Sequence, residues 1–217
     1  MSHVYKAIVF DLDGTLIDSA LGILQAFAAA FAHCGVTPRQ PWSALQIGPP
    51  LLQTISRQCD SQDPSLLESL RLAFIESYDS DGFRTSKPYD GVHEVLETLQ
   101  GRGLRLFIAT NKRIVPTQRI LLHLGWDGLF EGVFGVDSLA PAQSPKINII
   151  RHISQHFGLT PGRSLYVGDR LEDLQAATTA GFPFALATWG FEDADALVPT
   201  VCARLHTADD LHRLTYS

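Results

Sequence analysis

Lysine is scarce in this chain: only Lys6, Lys87, Lys112 and Lys146 occur, and none lies between Asp18 and Ser86. With a net charge of −6, that scarcity argues against general binding to nucleic acid or to anionic membranes and leaves room only for a local basic pocket. Long apolar runs are missing too, since none approaches the roughly 20 residues needed to span a bilayer. The cysteines, Cys34, Cys59 and Cys202, are odd in number and scattered. They form no CxxC or Cys/His spacing, so they read as reduced thiols, not as disulfides or zinc ligands. The first strand begins almost at the start of the sequence and leaves no space for a signal peptide, so a cytoplasmic location is expected. Internal repeats and low-complexity tracts are absent.

What is present is an ordinary globular composition. Hydrophobic residues make up 45% and charged residues 18% of a 217-residue chain, enough for one full core and a modest second lobe. From residue 88 onward, short apolar strands alternate with amphipathic helices. Expected strands are Leu104–Ala109, Gly132–Val136, Ser164–Val167, Phe184–Ala187 and Ala203–His206. Expected helices are Gly91–Gln100, Pro116–Leu124, Ile147–Phe157, Leu171–Ala180 and Ala208–Leu214, with a Pro-containing loop over Leu139–Pro145. Such alternation with short connections predicts an α/β fold with a doubly wound parallel sheet, Rossmann-like in its core.

Residues 18–86 break that rhythm. Leu21–His33 reads as a helix with Leu21, Leu24, Phe27, Ala28 and Phe31 on one face, and Leu51–Gln58 and Ser65–Tyr78 read as two more. We expect an all-helical insertion over 18–86, standing over the carboxyl ends of a sheet built from 1–17 and 87–217.

The most informative stretch is Ala7-Ile8-Val9-Phe10-Asp11-Leu12-Asp13-Gly14-Thr15-Leu16. Two carboxylates, one residue apart, follow a buried-strand pattern, and a glycine follows where the chain must turn. Strand periodicity would point Asp11 and Asp13 to one side if the strand ran that far. At the carboxyl end of a parallel strand they would face the crevice where α/β proteins bind ligands. An uncompensated pair would raise one pKa, and a divalent cation between the groups relieves the repulsion. An EF-hand reading fails, because Leu12, Leu16 and Ile17 occupy the wrong places and no Glu closes the loop.

Three further stations are spaced along the chain. Thr110-Asn111 follows the strand ending at Ala109; Lys146 stands just before the next-but-one helix; and Gly168-Asp169-Arg170-Leu171-Glu172-Asp173 ends another strand. Each has a plainer reading alone. DxDG is a turn sequence, Thr-Asn caps helices, a single lysine is usually solvated, and acidic residues favour a helix's first turn. In this order, on these elements, they converge, because parallel strands bring such ends side by side.

The order DxDGTL, T-N, K, GDxxxD resembles the haloacid dehalogenase superfamily of phosphohydrolases over essentially the whole chain, and the helical insertion resembles its type I cap. Ile47-Gly48-Pro49-Pro50-Leu51 and the spacing overall look like the phosphoglycolate phosphatase branch. The resemblance implies that Asp11 attacks phosphorus to form an aspartyl-phosphate and that Asp13 acts as acid and then base. It implies Mg2+ held by Asp11, the Asp13 carbonyl and Asp169, with Asp173 ordering the metal shell. Thr110 and the Asn111 backbone would hold the phosphoryl oxygens, and Lys146 would neutralise charge. It also implies a small phosphorylated metabolite as partner. Phosphoryl transfer asks for little more than an in-line nucleophile and cations around the equatorial oxygens. One departure is that Ser144-Pro145 precedes Lys146, whereas relatives often carry the proline after the lysine.

Rival functions are a phosphosugar mutase using the same aspartate pair and a catalytically silent scaffold of the same fold. A dehalogenase would not need Asp13, and a phosphonate-cleaving enzyme would need a lysine in the insertion, which has none. His152 and His156 read as a solvated face, Arg170 as a surface partner of Glu172, and Trp189-Gly190-Phe191 as either site rim or core. Arg57 and Arg71 are candidates to meet a second acidic group on a substrate.

Overall fold

The computed structural model describes residues 5–140, 144–192 and 202–215. In chain order the elements are β1 (Ala7–Phe10), β2 (Ile17–Asp18), α1 (Ala20–His33), α2 (Leu51–Gln58), α3 (Pro64–Ser80), β3 (Lys87–Pro88), α4 (Val92–Gly101) and β4 (Arg105–Ala109). They continue with α5 (Ile114–His123), β5 (Gly132–Phe134), α6 (Lys146–His156), β6 (Ser164–Gly168), α7 (Leu171–Thr179), β7 (Phe184–Ala187), β8 (Ala203–Leu205) and α8 (Asp210–Thr215). The chain divides into two compact units, Met1–Asp18 with Pro88–Ser217, and Ser19–Lys87. Part of the loop expected over Leu139–Pro145 lies outside the described residues.

The larger unit holds a six-stranded sheet in the order β5-β4-β1-β6-β7-β8, every neighbouring pair parallel. The fold is thus the α/β, Rossmann-like one that the strand–helix alternation predicts. Strands β1, β6 and β7 are buried along their whole length, as a parallel sheet covered on both faces requires. Alternation sorts their side chains. Val9, Phe107, Tyr166 and Phe184 share one cluster with Ile149, Ile150 and Ile153 of α6 and Leu174 of α7. Phe10 and Val167 face the other way, towards Val92, Val95 and Leu96 of α4 and Leu211 of α8. Register pairs Phe10 with both Ile108 and Val167, so the carboxyl ends of β4, β1 and β6 lie level.

The smaller unit is helical, with α1 packed on α3 and α3 on α2. Its core is aromatic: the Phe27 ring stacks on Trp42 at 4.7 Å and meets Phe74 at 4.5 Å, while Phe31 meets Trp42 edge-on at 5.0 Å. The buried face of α1 is Gly22, Ile23, Ala26, Phe27, Ala30 and Phe31. Leu21 and Ala28, expected on that face, are exposed. The reason is a backbone approach: a Cβ on Gly22 would collide with the Gly82 carbonyl, so the helix turns its glycine inward and Leu21 outward. Helix α5 starts two residues earlier than its proline suggests, because Pro116 sits in the first turn, where no intrahelical N–H is needed.

Candidate active site

Strand β1 ends at Phe10, but the ladder continues one step further, with Asp11 N–H donating to Val167 O at 2.9 Å. The chain then folds back: Leu12 O accepts from Leu16 N–H (2.9 Å) and Ile17 N–H (3.1 Å). Gly14 carries φ +84° in this turn, and a Cβ there would also collide with the Asp169 carboxylate. Asp11 and Asp13 thus stand on a tight turn at the tip of the central strand.

Lys146 is the first residue of α6, inside the helix and not before it, with Pro145 as its N-cap. Its Nζ lies 3.1 Å from Asp11 Oδ1 and 2.5 Å from Asp173 Oδ1. Asp173 is pinned on its other oxygen by Arg170 N–H at 3.1 Å. Asp169 follows directly on β6, and Thr15 Oγ1 donates to its Oδ1 at 3.3 Å. Asp11, Asp169 and Asp173 each bring one oxygen within 4.8 Å of the others, all three buried. Thr110, buried at the tip of β4, accepts from Lys112 N–H at 3.1 Å. The Asn111 side chain donates to Glu172 Oε1 at 3.1 Å.

The electrostatics follow from burial. Asp11 is pushed well above the usual carboxylate range by desolvation, opposed by Lys146 and reinforced by Asp173, Asp169 and Asp13. Asp169 is raised to about 7 by burial and by Asp173, against the pull of the Phe191 N–H. Burial alone would lower Lys146, but Asp11 and Asp173 hold it above the ordinary lysine range, so it stays charged. Two residues that sequence reasoning missed complete the cluster. Lys112 Nζ lies 3.0 Å from Asp13 Oδ1, with both side chains at most one-tenth exposed. The buried Tyr166 O–H lies within reach of Ala109 O (3.1 Å) and Asp173 Oδ1 (3.3 Å). The scarcity of lysine was the only signal for Lys112. The alternation of β6 put Tyr166 in the core and said nothing of its hydroxyl.

The donor set suits a hard divalent cation. Every candidate ligand is an oxygen, as Mg2+ prefers. Asp11 Oδ1 is buried with no hydrogen-bond donor, because Lys146 meets it at ion-pair distance without hydrogen-bond geometry. Four carboxylates, Asp11, Asp13, Asp169 and Asp173, meet two ammonium groups, Lys112 and Lys146, leaving an excess of two negative charges when all are ionised.

Other sequence candidates lie elsewhere or bind other partners. His152 and His156 stack on each other at 5.5 Å beside Phe134 and Phe157, and the described residues offer them no third ligand. Arg170 faces Glu192 at 4.0 Å and not Glu172, which is turned to Asn111. Arg71 is gripped by both oxygens of Glu68, at 2.6 and 2.7 Å, and Arg57 is exposed. Among the described residues no helix is long and apolar enough to cross a membrane.

Comparison with known proteins places this arrangement. The chain is 31% identical over 210 residues to the tyrosine-protein kinase PtkA of Mycobacterium tuberculosis, covering 95% of this chain and 71% of that one. The solved structure of PtkA superposes with a TM-score of 0.80 at 30% identity, covering 96% of this chain and 97% of that one. A 5'-nucleotidase of Pseudomonas aeruginosa is 33% identical over 194 residues, 89% of this chain and 87% of the relative. A phosphoglycolate phosphatase of Xylella fastidiosa is 32% identical over 190 residues, 86% of this chain and 81% of the relative. The model of the haloacid dehalogenase-like hydrolase family matches residues 8–187, which take in every strand tip described above, and the chain belongs to that family.

Proposed function

We propose that this protein, a phosphoric monoester hydrolase, is a magnesium-dependent phosphatase of a small phosphorylated metabolite that works through an aspartyl-phosphate on Asp11. The observation that carries the reading is the buried meeting of Asp11, Asp169 and Asp173 with Lys146 at the level ends of adjacent strands. Similarity to a phosphoglycolate phosphatase and a 5'-nucleotidase supports a small phosphomonoester as substrate.

In this reading an Asp11 carboxylate oxygen attacks phosphorus in line, and the ester P–O bond breaks. Asp13 gives the departing oxygen its proton, then takes one from the water that attacks the aspartyl-phosphate and releases inorganic phosphate. Lys146 favours the ionised form of Asp11 against the burial that raises its pKa and offsets charge on the equatorial oxygens, while the Thr110 hydroxyl and Asn111 N–H hold those oxygens. Lys112, at Asp13, steadies the acid that must face the leaving group. Asp11, the Asp13 carbonyl and Asp169 would hold Mg2+, which supplies charge neutralisation for the phosphoryl group. We assign the choice among phosphoesters to the helical cap, residues 18–86.

The test is a panel of several dozen phosphorylated metabolites, read for inorganic phosphate with Mg2+ and with chelator, on wild type and Asp11→Asn. The reading expects metal-dependent phosphate release that Asp11→Asn abolishes. Isomer formation without phosphate release would indicate a mutase. Phosphate appearing on tyrosine would indicate a kinase, and no turnover at all a scaffold; each would overturn it.

A further inference from the structure

Directly after β7 the chain runs Thr188-Trp189-Gly190-Phe191-Glu192, and this turn is fitted around a single carboxylate. Phe191 N–H donates to Asp169 Oδ2 at 2.8 Å. Gly190 passes so close that a Cβ there would collide with the Cβ and carboxyl group of Asp169. The Trp189 indole N–H donates to Thr15 O at 3.1 Å, and the same Thr15 gives its hydroxyl to Asp169 Oδ1. Glu192 Oε2 accepts from Leu171 N–H at 2.8 Å, tying the end of the turn to α7, the helix that carries Asp173.

We propose that the Trp189–Phe191 turn is a positioning clamp for Asp169 that fixes this carboxylate for a divalent cation. The inference rests on the reading of Asp169 as a metal ligand. Its physical basis is the kind of donor used. Asp11 and Asp173 each meet the ammonium of Lys146, which cancels part of their charge. The hydrogen bonds to Asp169 are neutral, a backbone N–H on one oxygen and a hydroxyl on the other, and the cations Arg170 and Lys146 act on it only from beyond ion-pair distance. Neutral donors fix the rotamer and offset part of the burial cost, yet leave the negative charge for a cation. Glycine is required at 190 for space, since its backbone must lie against the ligand for the next N–H to reach Oδ2. Trp189 anchors the far side of the clamp to the turn that carries Asp11 and Asp13.

The experiment is calorimetric titration of Mg2+ into wild type, Asp169→Asn, Gly190→Ala and Trp189→Phe, with melting of each protein measured in chelator. We expect Gly190→Ala to weaken Mg2+ binding about 10- to 100-fold, the range typical of residues that hold a metal ligand. Trp189→Phe should weaken it less, and neither should lose its cooperative melt. A merely structural turn would lower the metal-free melting temperature and leave the affinity of the folded protein unchanged. Wild-type affinity in folded Gly190→Ala and Trp189→Phe overturns the clamp. Should Gly190→Ala fail to fold, Trp189→Phe and Thr15→Val carry the same test, and wild-type affinity in both overturns it. If wild type and Asp169→Asn take up Mg2+ equally, the ligand assignment itself has failed, a result distinct from failure of the clamp alone.

Discussion

The interiors of the two units are built from different chemistry. Between Ser19 and Lys87 the buried side chains are aromatic, aliphatic or neutral polar, with Phe27, Phe31, Phe74 and Tyr78 at the centre. Among the described residues, all five buried charged residues lie in the sheet unit: Asp11, Asp13 and Asp169 just beyond strands β1 and β6, Lys146 and Asp173 in the first turns of α6 and α7. Apolar burial lowers the free energy of the helical unit wherever it occurs. In the sheet unit, burial works against the fold at one place, because each carboxylate withdrawn from water also repels its neighbours. Stability and chemistry are thus separable here: the strand tips concentrate charge whose cost the surrounding apolar sheet offsets, and a cation would relieve it.

The comparison is broken most severely at Asp11, the proposed nucleophile. Asp11→Asn should lower phosphatase turnover by at least about a thousandfold, while the metal-free variant melts above wild type because a repelled buried carboxylate is gone. A lower melting temperature would mean that the pairing with Lys146 outweighs the repulsion. Next in size is Lys146→Met, which leaves Asp11 and Asp173 without their shared ammonium. Removing one partner of a buried ion pair costs about 3–5 kcal/mol, and chemical denaturation should show it. Its counterpart in the helical unit, Phe27→Ala, should cost a similar amount, about 3–5 kcal/mol, yet leave Mg2+ affinity as in wild type.

A smaller effect sharpens the contrast through pH. Asp169 titrates at about 7 in the folded protein against 3.8 for the free side chain, so the fold favours its protonated form. Its contribution to metal-free stability is therefore full below about 4 and lost as pH rises through about 7. The melting-temperature difference between wild type and Asp169→Asn, followed over that window in chelator, should move against wild type as pH rises. Saturating Mg2+ should cancel the trend. Smallest is Lys112→Met: it should slow hydrolysis of an alkyl phosphate at least about tenfold more than that of p-nitrophenyl phosphate, whose leaving group needs no acid. Equal slowing of both would place Lys112 outside the leaving-group side of the site.

The strand tips were legible because each is an apolar run that gives way to a polar residue, Asp11, Thr110 or Asp169, and the two aspartates are residues that buried strands avoid. The topology then leaves little freedom in where they meet. Periodicity could not see what depends on a distant backbone. The inward face of α1 is set by Gly82 approaching Gly22, not by the leucines of the helix. The Lys112–Asp13 pair and the Tyr166 hydroxyl depend on turns whose geometry no local pattern fixes. The Trp189-Gly190-Phe191 turn read equally as rim or core, because its glycine acquires meaning only against Asp169.

The central claim is that Asp11 itself receives the phosphoryl group, and it is tested most directly in Asp13→Asn, which lacks the proposed base for the second step. Mixed rapidly with p-nitrophenyl phosphate and Mg2+, this variant should release a burst of p-nitrophenol equal to the number of active sites. Acid quenching and peptide mapping should then find phosphate on Asp11. Slow linear release with no burst, and an Asp11 peptide that carries no phosphate, would contradict the account.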